Sequence, residues 1–577
     1  VTGESNLNDV LKIPGVSGVM ISSNFAVIIT PANKINEISN IVLRIVNIEV
    51  STILTLNTIS PLEASGAPVF NNNPYLRLNG RGVLVGIIDT GIDYLNKEFQ
   101  REDDTTRIVR IWDQTIQGDK DIYDLKYGTE YTEDQINQAI SLQTSGGDPY
   151  SIVPSKDDIG HGTRLAGIIG GRGINPDLKG AAPDCQFVIV KLSRATKVEL
   201  DAAVIDKTDV PSYTPGSALL ALRYIIAVAR ELKRPVVVFE PLGSNMGSHT
   251  GNGIVEQSIN NYSAQSGTVV VVPTGNQGNT DTHTEGIIEI EIRVGEKQKN
   301  LPIEIWVNKP NRVKLSIVSP SGEVIDNLEA KNTNNERIKF LYEGTEMIVN
   351  FTSPELSTGD SLIFIRAYNL KAGIWKFRLT GQSIVDGKFY AWIPQRELLD
   401  SETKFLNSVG YTTLTLSSTS SGAISVAYYN QDDNSVISES GRGYTRYGMI
   451  KPDIAAGGFN AIVTNPGGGT AVISGSSVAG AVVAGCCALI LQWAVVDKNY
   501  PDIYAAQIKS YIISGAKGRP GDVYPNKEWG YGMFDMQGVF DRIRETYSPR
   551  SDEDYEEYRV NNLFIRMPKY RHNRTIN

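Results

Sequence analysis

At 577 residues the chain exceeds what a single hydrophobic core supports, and roughly two to four domains are expected. Hydrophobic residues make up 41% and charged residues 21%, the balance of an ordinary globular protein. A net charge of −9 argues against a nucleic-acid partner, which would favour a basic surface. No uninterrupted apolar run reaches the ~18 residues of a membrane span. The longest, Val478 to Val496, carries Gln492 and several small residues and reads as a buried helix. Three cysteines, two of them adjacent (Cys486, Cys487) and one remote (Cys185), do not form an extracellular disulfide framework. No Cys-x-x-Cys or His-x-x-x-His spacing occurs, so neither a metal nor a cofactor is expected. The chain opens at Val1 without a secretory signal pattern, which leaves the compartment open.

Residues 1–56 set short apolar runs (Val19-Met20-Ile21, Ala26-Val27-Ile28-Ile29) beside a helical pattern from Asn36 to Val46, as in a small α+β module. An extended run, Glu49 to Asn57, leads out of it. From 57 to 285 apolar, β-branched strands at 83–88, 186–191, 236–240 and 268–272 alternate with helices. The clearest helix starts at Ser217, a good N-cap, and runs to Pro235. Such alternation predicts a parallel sheet flanked by helices, with its site at the carboxyl ends of the strands. Asp89 and Asn276 both fall at such ends.

Between 286 and 400 the apolar period changes to two, as in Ile288 to Val294, Pro302 to Val307, Val313 to Val318 and Ile374 to Leu379. These strands and the turns between them predict a β-sandwich inserted into the α/β unit, which resumes over 401–545. Trp306, Trp375 and Trp392 are candidate sugar-stacking faces, although tryptophans on sandwich strands are usually core. Residues 546–577 form a polar, tyrosine-rich extension whose apolar piece, Leu563 to Met567, is expected to pack back on the body.

Four short segments carry chemistry: Asp89-Thr90-Gly91, His161-Gly162-Thr163, Gly275-Asn276 and Gly475-Ser476-Ser477. A serine hydroxyl is a poor nucleophile at neutral pH and needs a base. His161 would take the proton of Ser477, and Asp89 would fix the tautomer of the imidazole and stabilise its charged form. Asn276, through its side-chain N–H, and Ser477, through its backbone N–H at a helix N-terminus, would hold the oxyanion. His249, His283 and His572 lie in turn-like or tail-like sequence.

The order Asp…His…Ser is that of subtilisin. Asp89-Thr90-Gly91-Ile92-Asp93, His161-Gly162-Thr163-Arg164-Leu165-Ala166-Gly167 and Gly475-Ser476-Ser477-Val478-Ala479 resemble the three signatures of the subtilisin-like serine proteases, or subtilases. The resemblance covers roughly residues 60–285 and 415–545. It implies a subtilisin-like parallel sheet flanked by helices, a serine endopeptidase, and residues 1–56 as a prodomain that inhibits the enzyme and is cut within 54–58. It also implies that Leu242-Gly243-Ser244 pairs with a protein or peptide substrate bound as an extended strand, with Thr274 and Gly275 as further substrate-binding positions.

Some positions depart from the family pattern. Arg164 stands where a second histidine is usual, and Gly457, where proline is frequent, loosens a turn. The loop Gly171 to Asp177 is short beside the calcium-binding loop of secreted subtilisins and offers no convergent carboxylates, so calcium is not expected. Ile92-Asp93-Tyr94, Arg110 to Ile116, Gly247 to Gly251 and the insert with Gly373-Ile374-Trp375 resemble the clostridial germination-type Csp proteases. These carry an inserted jelly-roll sandwich, can retain the cut prodomain, and activate a cortex-degrading hydrolase. That likeness implies an extracellular, cell-surface or spore-associated protein of a Gram-positive bacterium. The alternative within the same fold is a prodomain-blocked or non-catalytic signalling protein.

Overall fold

The computed structural model describes residues 4–22, 25–35, 38, 54–56, 64–71, 73–118, 121–286, 289–329, 335–547, 555–560 and 563–568. A nine-stranded sheet forms its centre. Across it run Ser435–Val436, Ile424–Asn430, Thr268–Pro273, Val236–Phe239, Leu84–Asp89, Gln186–Lys191, Ile108–Asp113 and Thr129–Thr132, and Ile454–Gly457 also pairs with Ile424–Asn430. The pairings from Ile424–Asn430 to Ile108–Asp113 are parallel, and the two short outer strands are antiparallel. Leu84–Asp89, Val236–Phe239 and Thr268–Pro273 are buried at every position, which is why they read as unbroken apolar runs.

Helices cover both faces. Val85, Ile87, Val237 and Phe239 pack with helices His161–Gly170 and Ser476–Leu491. Leu84, Ile88, Val236 and Val238 pack with Pro215–Leu232 and Ile254–Ser263. Pro215–Leu232 rests on bare backbone, since a Cβ on Gly86 would come within 2.3 Å of Ile225 Cγ2. This helix begins earlier than its sequence suggests. Thr214, not Ser217, is the N-cap, its Oγ1 accepting the Ser217 N–H, because Pro215 at the first helical position has no N–H to lose. Lys233, left-handed at φ 52°, ends it. Gly457, expected in a turn, instead lies in a strand. Ser476–Val496 is long and apolar enough by composition to cross a membrane, but 89% of that window is buried inside the molecule. It is the core helix of the α/β unit.

The chain leaves the sheet after Thr268–Pro273 and returns in the neighbouring Ile424–Asn430. Between them stand a six-stranded and a five-stranded antiparallel sheet, with strands from His283–Gly286 to Lys404–Phe405. Their inner faces form a separate core around Trp375 and Phe377. Trp375 is fully buried, Trp306 and Trp392 nearly so, which removes all three as sugar-stacking faces.

At the N-terminus, helix Glu4–Val10 precedes an antiparallel hairpin, Ser17–Met20 with Ala26–Ile29. The hairpin docks on the helical face of the α/β unit, where Val19 and Ile21 join the core and Tyr262 Oη donates to the Ile21 carbonyl at 2.6 Å. Except for Ile38, the helix expected over Asn36 to Val46 lies outside the described residues. Leu54–Leu56 forms the middle strand of a small antiparallel sheet between Leu242–Gly243 and Ser212–Tyr213. Near the C-terminus, Tyr555–Val560 pairs with Leu563–Pro568, and the packing expected of Leu563 to Met567 on the body lies outside the described residues.

Candidate active site

Asp89 ends its strand fully buried. Its two carboxylate oxygens lie 2.9 and 2.8 Å from His161 Nδ1, and Oδ1 also accepts the Thr90 N–H at 2.6 Å. With Nδ1 held by a carboxylate, the other ring nitrogen is left to act as a base. His161 opens its helix behind Gly160, whose φ of 84° suits glycine. Gly162 is required by contact, since a Cβ there would lie 2.2 Å from the Gly91 carbonyl oxygen. Thr90 Oγ1 accepts the Gly162 N–H and so ties the two segments together.

Gly475 precedes the serine with φ 149° and ψ 170°, a region essentially closed to side-chain-bearing residues. Ser477 follows in the first turn of the core helix, only 1% exposed. Asn276 lies one residue beyond Gly275, whose φ of 86° and approach to Thr415 exclude a Cβ. Asn276 Oδ1 accepts the Ser476 N–H at 3.0 Å. The same amide leaves its Nδ2 buried and without a partner among the described residues. A buried N–H in that condition costs about 1–3 kcal/mol unless a ligand takes it up.

The expected substrate positions fall on two segments, the walls of the expected groove. Leu242 and Gly243 pair with Leu56 and Thr55, and the Ser244 carbonyl accepts the Leu416 N–H at 2.9 Å. Opposite, the Thr274 carbonyl accepts the Thr415 N–H at 3.0 Å, and the Gly275 carbonyl accepts the Gly441 N–H at 2.8 Å.

Two contributors escape the sequence reading. The Asp157 carboxylate accepts N–H bonds from Gly160 and Thr163 and the Thr163 hydroxyl, at 2.7 to 2.8 Å, capping the His161 helix from outside the usual N-cap position. The second is the segment between sandwich strands Phe389–Trp392 and Lys404–Phe405, which reaches Gly243 in one wall and Gln277, two residues past Gly275, beside the other. Gln395 Nε2 donates to the Gly243 carbonyl, the Arg396 N–H donates to Gln277 Oε1 at 3.0 Å, and Gln277 Nε2 donates to Glu397 at 3.1 Å. No local pattern marks these residues, because their partners lie more than a hundred positions away.

Arg164 binds Asn465 Oδ1 through Nε and Nη2 at 3.0 and 2.8 Å, tying the hairpin before the serine to the histidine helix. His249 and His283 are buried on either side of Trp392, stacked at 4.1 and 4.7 Å. His572 lies outside the described residues. The Gly171 to Asp177 loop is held by Glu98, whose carboxylate accepts the Gly173 N–H at 2.6 Å and the Asn175 N–H at 3.1 Å. Among the described residues no three His, Cys, Asp or Glu side chains converge as metal ligands. All three cysteines are free and buried, and burial pushes the Cys185 and Cys486 thiols up to about 12.

A model of the subtilase family matches residues 80–304 and 404–532. The structure of the Clostridium perfringens CspB protease superposes with a TM-score of 0.74 at 29% identity, covering 83% of this chain and 96% of that one. Among curated proteins, the PII-type proteinase of Lacticaseibacillus paracasei is 27% identical over 234 residues, 38% of this chain. The subtilisin-like protease SBT6.1 of Arabidopsis thaliana is 30% identical over 172 residues, 28% of this chain. The chain spans only 10% and 16% of the lengths of these two relatives.

Proposed function

The chain belongs to the subtilase family, and from that premise we propose that it is a serine endopeptidase with Ser477 as nucleophile, His161 as general base and Asp89 as the group that orients the base. His161 takes the Ser477 proton as the hydroxyl oxygen attacks the scissile carbonyl, and returns it to the leaving amine. Water then repeats the sequence on the acyl-enzyme. Asn276 Nδ2–H and the Ser477 N–H receive the oxyanion at the helix N-terminus. The observation that carries this reading is the divided Asn276 amide, with its oxygen held by Ser476 and its nitrogen buried and unspent.

The substrate binds as a strand between Leu242–Gly243 and Ser212–Tyr213, with main-chain bonds for affinity and side-chain pockets for selectivity. Leu54–Leu56 already takes that place, which supports reading residues 1–56 as an inhibitory prodomain cut within 54–58. Residues 57–285 and 401–545 make up the catalytic unit, and 286–400 and 546–577 are its insert and extension. Likeness to the CspB protease supports a role in activating a pro-enzyme at spore germination. The occupied groove also favours a second reading, in which the retained prodomain keeps a competent site closed to large substrates.

A fluorophosphonate probe tests the chemistry. It should label Ser477 in the wild type, and intact mass should show a break near 54–58 that Ser477→Ala lacks. No labelling of the cut protein would sink the catalytic reading. Labelling without hydrolysis of protein substrates would favour the blocked one.

A further inference from the structure

We propose that the pocket for the residue before the cut ends in a polar floor built from Glu240, Thr415 and Ser417, and that it selects a carboxamide side chain, so that self-processing falls after Asn57. The proposal rests on the serine-endopeptidase reading above and supplies the preference that reading leaves open. Glu240 follows strand Val236–Phe239 and stands two residues before the Leu242–Ser244 wall, yet it is 2% exposed. Its carboxyl accepts the Ser417 hydroxyl at 3.1 Å. Ser417 belongs to the turn Leu416–Thr419, and the start of that segment joins both walls, through Leu416 to Ser244 and Thr415 to Thr274. These side chains therefore lie where the slot between the walls closes.

Two features of the floor call for a ligand group that both donates and accepts. Thr415 is fully buried, against Gly275, and its Oγ1 has no partner among the described residues. Glu240 has no cationic neighbour that moves its titration. Burial lifts its carboxyl to about 7, only partly offset by the Ser417 bond, so an uncharged form is present at neutral pH. A neutral carboxyl can donate to an amide oxygen and accept from an amide nitrogen, and the threonine hydroxyl supplies one more bond. An aliphatic side chain would leave these groups unpaired in a dry slot.

The chain's own sequence matches the floor. Thr55 opposes Gly243 and Leu56 opposes Leu242, so the strand runs antiparallel toward the end of Val236–Phe239. Gly480 of the Ser477 helix contacts Phe239 at that end. The residue after Leu56 is Asn57, a carboxamide, followed by Thr58. Hydrolysis of the Asn57–Thr58 bond adds water across it and leaves Thr58 as the new N-terminus.

The test takes the self-processed full chain and fluorogenic peptide amides Thr-Ile-Leu-Thr-Leu-Xaa, with Xaa as Asn, Gln, Leu, Phe or Lys. Asn or Gln should exceed Leu, Phe and Lys by at least about tenfold in kcat/KM, as expected where a site loses hydrogen bonds to the wrong substrate. Thr415→Val should narrow the gap and Glu240→Leu should reverse it toward Leu, while Glu240→Gln preserves the order. N-terminal sequencing should begin at Thr58. Preference for Leu or Phe, or for Lys through an ionised Glu240, overturns the proposal. If the fluorophosphonate leaves Ser477 unlabelled, the catalytic reading fails by itself. Hydrogen exchange at Leu242–Ser244 in the uncut Ser477→Ala chain, alone and with Asn57→Gln or Asn57→Leu added, then decides the pocket, with slower exchange for Asn or Gln sustaining it and slower exchange for Leu overturning it.

Discussion

In the proposed mechanism the Asn276 amide divides its two ends between structure and chemistry. Because its oxygen is held by the Ser476 N–H, its nitrogen is oriented before substrate arrives. Asn276→Ala should lower kcat by about 10²–10³ with little change in KM, the size known for the equivalent donor in subtilisin, where the transition state loses what the ground state hardly uses. An equal loss in KM would mean that Asn276 holds the substrate instead. Asp157 acts on the other side of the site, through the His161 helix. Asp157→Ala leaves the Gly160 and Thr163 N–H groups without their acceptor and should cost about 2 kcal/mol, near the upper end for a lost cap. A thermal melt and single-turnover kinetics would check it, with Asp157→Asn restoring much of both. At this scale the pairing of Asp89 with His161 and of Asn276 with the Ser476–Ser477 turn was legible in the sequence, because each sits in a rigid local grammar, strand end then turn or glycine then helix. Asp157 was not, because it caps from four residues before His161, and Thr214 displaced Ser217 because the proline between them moves the helix start.

The inserted sandwich is an element that touches both walls of the candidate site. Gln395, Arg396 and Glu397 lie between Gly243 on one wall and Gln277, next to Asn276, on the other. Gly247 adds an N–H bond to Glu304 at 2.8 Å, and Asn245 a bond to the Ile393 carbonyl at 3.3 Å. Gln395→Ala should therefore raise KM several-fold for extended peptides while leaving fluorophosphonate labelling of Ser477 intact. An unchanged KM would reduce the segment to packing. The same junction holds the His249–Trp392–His283 stack, where burial pushes His249 down to about 4 and His283 to about 3. Both sit below the ordinary value near 6.5, so between those limits the unfolded chain binds more protons than the folded one. Stability should fall as pH drops below about 6.5 and keep falling to about 3–4, by on the order of 3 kcal/mol per histidine. Denaturant midpoints at pH 7 and 4.5 would show it, and His249→Phe, which keeps a ring on Trp392, should flatten the slope. An equally steep slope in the variant would assign the acid sensitivity to carboxylates elsewhere. The alternation of the sandwich strands was readable in the sequence, but its attachment to the walls was not, because period-two patterning reports which face is buried and nothing about the loops at the ends.

At the scale of the whole molecule, the proposed prodomain reading makes the N-terminal module and the groove one device. The module holds the body through Val19 and Ile21 in the helical core and the Tyr262–Ile21 bond, while Leu54–Leu56 occupies the groove. Before the cut, groove and tail belong to one chain, and a tethered ligand acts at an effective concentration in the millimolar range. After it, the tether is gone, and the hairpin on the helical face and Leu54–Leu56 in the groove share the hold on the module. Ile21→Asp buries an unpaired charge in that contact, at a cost of about 3–5 kcal/mol. In this variant the cut module should separate from the body on gel filtration, whereas in the wild type the two should elute together. Turnover of a peptide substrate should rise through KM, with kcat unchanged, because releasing a competitor exposes the groove without altering the chemistry. If the module stays bound in Ile21→Asp, the groove strand itself must be the main anchor. Inhibition would then weaken on replacing Leu56 and not on replacing Ile21.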